Sequence, residues 1–78
     1  MKVYLAEVYN NESEMTLGIY STLEAAKKRC GEYKSSIFTG KVITEMEIDK
    51  DSLPLAAQYP FWQLSEDGKW VKFGKNGS

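Results

Sequence analysis

No histidine occurs in this chain of 78 residues, and Cys30 is its one cysteine. An internal disulfide is therefore excluded, and the nitrogen and sulfur ligands of an ordinary zinc site are missing. A nucleophilic Cys30 would need a base or a strongly positive setting, and no imidazole can supply one. Lys27 and Lys34 flank it, but it lies in the middle of an apolar helical stripe and is expected to be a small buried hydrophobe. Glycines are scattered: Gly18, Gly31, Gly40 and Gly68 each stand alone, so no phosphate-cradling loop is present. No serine sits in a nucleophile-elbow context. These absences predict a protein that is not an enzyme and that holds no cofactor and no metal.

An excess of charge is also missing. Ten basic and eleven acidic residues leave a formal charge of −1. The densest basic run, Lys27-Lys28-Arg29, is offset by Glu24 and Glu32, so no duplex-DNA surface is expected. The opening Met1-Lys2-Val3-Tyr4-Leu5-Ala6-Glu7 carries no sustained apolar run, which predicts neither a signal peptide nor a membrane span and makes the cytoplasm the expected compartment. Hydrophobic residues at 42% against charged residues at 27% describe a globular chain. Its length allows one domain, residues 1–78, with 74–78 as a frayed polar tail. Domains this small often gain stability by association, which makes a second copy or a partner protein an expected companion.

What is present falls into a short series of elements. Residues 2–9 read as a strand that is apolar on both sides, with Val3 and Leu5 opposite Tyr4, Ala6 and Val8. Asn10 to Ser13 form a turn, and Met15, Leu17 and Ile19 then alternate with polar neighbours as one face of a second strand. Ser21-Thr22-Leu23-Glu24 has the form of a capping box with Ser21 as N-cap. Leu23, Ala26, Cys30, Tyr33 and Ile37 follow at helical spacing, giving a helix over about 22–35. Residues 41–48 are a third strand, and Asp51 to Gln58 hold a short helical turn. Asp67-Gly68 predicts a two-residue hairpin loop, with Trp62 facing Phe73 and Ser65 facing Trp70. The fold expected is α+β: a three-stranded, antiparallel-containing β-β-α-β sheet of order 2-1-3 under one covering helix, followed by the helical turn and a C-terminal hairpin.

Two surfaces could carry a function. In the expected hairpin register Phe61, Gln63, Ser65, Trp70 and Lys72 share one face, a polar strand face bearing a Trp. Either this face packs against the main sheet with Trp70 as core, or it is a protein interface with Phe61, Gln63, Trp70 and Lys72 as contact residues. With Lys69 it would also suit base stacking on single-stranded nucleic acid. The second surface is the acidic series Glu45, Glu47 and Asp49, whose side chains would project the same way about 6.6–6.8 Å apart. A straight ladder does not converge as a hard cation requires, so it reads as a solvated face and a secondary docking edge.

Gly18-Ile19-Tyr20-Ser21-Thr22-Leu23-Glu24-Ala25-Ala26, a strand running directly into a capped helix, resembles a segment of small uncharacterised bacterial and bacteriophage accessory proteins. The opening Lys2-Val3-Tyr4 and the alternation Glu45-Met46-Glu47-Ile48-Asp49 belong to the same likeness, which extends over about residues 1–50. It implies a stand-alone, phage-encoded accessory protein and transfers no site residues. The function expected is a non-enzymatic protein-binding module, a phage inhibitor that occludes a host or defence protein. A single-stranded nucleic-acid or nucleotide binder and a homodimeric accessory protein are the alternatives.

Overall fold

A computed structural model describes residues 1–34, 36–48 and 60–74 of the chain. In chain order the elements are β1 (Lys2–Tyr9), β2 (Glu14–Tyr20), α1 (Leu23–Glu32), β3 (Gly40–Glu47), β4 (Phe61–Leu64) and β5 (Trp70–Phe73). The strands form one five-stranded sheet of order β2-β1-β3-β4-β5, and every neighbouring pair is antiparallel. This corrects the three-stranded sheet expected from the sequence. The C-terminal hairpin is not an appendage but continues the sheet, because β4 pairs with β3. The described protein is mostly sheet with one short helix, and β3 is the middle strand. The helical turn expected over 51–58 lies outside the described residues.

The β1–β2 turn is built by Asn10. Its side-chain Oδ1 accepts from the backbone N–H groups of Glu12 and Ser13, both at 2.8 Å, which turns the chain on itself. The register then shifts between Ala6 and Glu7: Ala6 pairs with Gly18, but Glu7 pairs with Thr16. Leu17 is the extra residue of a bulge. Strict alternation would put Met15, Leu17 and Ile19 on one side; the bulge instead frees Leu17 to pack on the core while Ile19 faces away, 65% exposed.

Helix α1 begins one residue later than the capping box suggests. Thr22 is the N-cap, its hydroxyl accepting from the Ala25 N–H at 3.2 Å, and Glu24 lies in the positive first turn. The helix stops at Glu32, short of the expected 35, with Tyr33 as its C-cap. A residue from the sheet closes this end. Lys41 of β3 places its ammonium 2.6 Å from the Cys30 carbonyl oxygen and 3.2 Å from that of Tyr33. A cation is favoured at that end of the helix dipole, so the central strand and the helix terminus are tied by charge as well as packing.

The helix packs over β1, β2 and β3. Beneath it runs the row Gly18–Ala6–Ile43–Trp62–Lys72, one residue from each strand in sheet order. Small residues lie where the helix comes down, and Ala26 and Cys30 press on Ala6 within one buried cluster. Farther along the row the side chains enlarge: Trp62, with half-buried Trp70 packed against it, occupies the space beside the helix. Tyr4 meets the Trp62 ring at a centroid distance of 6.1 Å.

Candidate binding surface

The hairpin register decides where the expected contact residues go. Observed partners are Phe61–Phe73, Trp62–Lys72, Gln63–Val71 and Leu64–Trp70. This is one residue away from the expected pairing. The loop is Glu66-Asp67-Gly68, not Asp67-Gly68: Ser65 N–H donates to the Lys69 carbonyl at 2.8 Å, and Gly68 N–H to the Ser65 carbonyl at 3.0 Å. Gly68 takes φ +86, the left-handed position that completes a three-residue hairpin loop. Ser65 Oγ donates to Asp67, and that bond, with a second from the Lys69 N–H, holds the Asp67 carboxyl below its usual range.

A slip of one residue exchanges the faces. Phe61, Gln63, Trp70 and Lys72 are therefore not brought together. Phe61 and Gln63 lie on the face away from the helix, whereas Trp70 and Lys72 lie on the helix side. Trp70 is half-buried against the core, and the Lys72 ammonium sits 5.3 Å from the Trp62 ring centroid, a cation–π contact within the molecule. The stacking platform expected around Trp70 is not assembled.

The acidic series is partly satisfied internally. Glu45 accepts from the Tyr4 hydroxyl at 3.3 Å and lies 3.5 Å from the Lys2 ammonium. Burial, then the nearby Glu45 carboxylate, pushes the Tyr4 phenol up. Glu47 pairs across the sheet with Lys2, and Asp49 lies outside the described residues. Cys30 is fully buried, and burial raises its thiol pKa against the opposing pull of Lys41 and Arg29. A shallow recess of about 700 Å³ adjoins the C-terminal end of α1, lined in part by Tyr33, Lys34, Phe38 and Lys41. Its Lys41 ammonium is already engaged by the two helix carbonyls.

The surface that the sequence reading missed is the sheet face opposite the helix. One row of it is Ile19–Leu5–Thr44–Phe61–Phe73, which crosses all five strands and is apolar at every position except Thr44. Phe61 and Phe73 stack with their centroids 5.3 Å apart. The next row is Thr16–Glu7–Val42–Gln63–Val71, with Val71 43% and Phe73 42% exposed at the edge. Beyond it, Tyr9 lays its ring across Gly40, where a side chain would collide with it, and its hydroxyl accepts from the Gln63 amide. Glu7 is half-buried in this apolar field. Burial, then the carboxylate of Glu14, raises its pKa. A sign of this surface was present in β1: Val3 and Leu5 oppose Tyr4, Ala6 and Val8, and a single helix covers only one side of a sheet.

Among the described residues the architecture is one five-stranded antiparallel sheet with a single short helix on one face and an apolar row on the other. The chain belongs to a family described as a domain of unknown function, DUF7336, which matches residues 1–53. The match spans β1, β2, α1 and β3, and the β4–β5 hairpin lies outside it. No curated protein and no solved structure matches the chain. Among the described residues, no helix is long and apolar enough to cross a membrane.

Proposed function

We propose that this protein is a non-enzymatic protein-binding module whose contact surface is the open sheet face centred on Leu5, Val42 and Phe61. One observation carries the reading: the row Ile19–Leu5–Thr44–Phe61–Phe73 presents apolar side chains on both sides of Thr44, including an exposed aromatic, with no described helix over them. Apolar surface of this extent on a small domain is the usual mark of a protein contact. Among the described residues of this face, Glu7 and Glu14 stand among apolar and amide groups. An inhibitor that occludes a host or defence protein, as the resemblance to phage accessory proteins implies, would use the same face.

The test compares proteins retained from a bacterial lysate by the tagged wild type, by an Ile19→Ser/Phe73→Ser variant and by Lys27→Ala. Both serine substitutions fall at well-exposed positions and leave the fold intact by circular dichroism. The face variant loses what the wild type retains, and Lys27→Ala does not. Equal retention by all three would remove the open face from the function.

A further inference from the structure

The partner that the open face fits is a second copy of itself, and we infer a homodimer formed by packing the two open faces together about a two-fold axis that runs along β3. This rests on the reading of that face as a protein contact and identifies what occupies it. The inference comes from the position of β3 in the middle of the order β2-β1-β3-β4-β5. Two sheets related by a two-fold along their middle strands lay β1 over the partner's β4 and β2 over the partner's β5. Small departures from parallel, about 30°, are normal when twisted sheets stack.

Under that operation the rows meet themselves in reverse. Ile19 lies over the partner's Phe73, Leu5 over the partner's Phe61, and Thr44 and Val42 meet their own copies. Apolar groups thus meet apolar groups across the middle. The polar ends match as well. Glu7 comes over the partner's Gln63, whose amide has a second N–H beyond the one given to Tyr9. At the margin, Glu14, paired with Tyr9 at the outer strand β2, comes over the partner's Lys69, which alternation from Val71 and Phe73 places on the same face beside β5. Both are exposed, and neither forms an ion pair among the described residues. The carboxylates of this face lie on its β1–β2 side and its amide and ammonium on its β4–β5 side, which is the distribution that a two-fold along β3 makes complementary.

The size is adequate for a weak dimer. Five strands span about 24 Å, and three rows along the strands about 20 Å, a flat area near 500 Å² per partner before side-chain relief. That falls at the lower end of specific interfaces, which average about 800 Å² per partner, so the dimer dissociates at micromolar concentration.

Sedimentation velocity over a dilution series, with circular dichroism as the fold control, tests this. The wild type passes from dimer to monomer on dilution, and Ile19→Ser/Phe73→Ser is a monomer throughout. Glu14→Lys or Lys69→Glu each weakens the dimer about tenfold, since each reversal turns two attractions into two repulsions. The double reversal Glu14→Lys/Lys69→Glu restores it. Within one chain these residues lie at opposite edges of the sheet, about 19 Å apart, too far for the rescue to be internal. A wild type that stays monomeric at several hundred micromolar overturns the dimer. A dimer indifferent to both reversals overturns this arrangement. If the wild type is monomeric yet its lysate capture depends on Ile19 and Phe73, the protein-binding reading stands with a different occupant.

Discussion

Two rows that are neighbours in the sheet make the most telling contrast in the molecule. Gly18–Ala6–Ile43–Trp62–Lys72 lies under the helix, and Ile19–Leu5–Thr44–Phe61–Phe73 is displaced from it by one residue in every strand. Their apolar content is similar. What separates them is that α1 and Trp70 pack against the first, burying Ala6, Ile43 and Trp62, while the second has no described cover. Burial turns the apolar part of the first row into folding stability, whereas the second row carries the proposed contact.

The largest expected effect lies on the covered side. Trp62→Ala leaves a void between Ile43, Tyr4 and Trp70 and costs about 3–5 kcal/mol in chemical denaturation, enough to threaten folding of a small domain. Phe73→Ala, on the open side, loses the stack with Phe61 and costs about 1 kcal/mol when measured at a concentration where the chain is monomeric. Comparable losses at the two sites would show that the faces do not differ in the way described.

Next in size is the helix that creates the difference. Thr22→Ala removes its N-cap and costs about 1 kcal/mol, whereas Ser21→Ala changes thermal stability within error. The reverse result would place the cap at Ser21.

The smallest effect concerns the charge on the uncovered side. Glu7 holds its proton more tightly when folded than when unfolded. Its contribution is therefore most favourable below the ordinary glutamate value of 4.5 and is lost as pH rises through the elevated folded value. Glu7→Gln escapes that loss. Its melting temperature matches the wild type in acid and exceeds it slightly near neutrality; an advantage that shrinks with rising pH would contradict the assignment.

How much was legible in the sequence depends on local ambiguity. β1, the helix stripe through Ala26 and Cys30, and β3 carry unambiguous periods, and each is close to where it was expected. The hairpin does not. Phe61-Trp62 and Trp70-Val71 place apolar residues side by side, so either of two registers buries an apolar set, and alternation cannot choose between them. The choice is made by the Ser65 hydroxyl and the backbone bonds around Gly68, which favour a loop one residue longer. That single residue moved Trp70 from the exposed platform to the core and brought Phe73 out beside Phe61. The Leu17 bulge acted similarly in β2. Joining of the hairpin to β3 was not readable either, because pairing between strands separated by more than ten residues leaves no local pattern.

Lys41 has a consequence for how this chain can diverge. Its one ammonium holds the carbonyl of Tyr33, where the helix is left, and stands on the strand that the connection enters. The connection between them is thus a loop fastened at both ends, and closing a few additional residues there costs only tenths of a kcal/mol. Ile37 is held as well, its carbonyl accepting from the Asn10 amide at 3.1 Å, so changes elsewhere that spare Lys41 and Asn10 leave the start of β3 where it is.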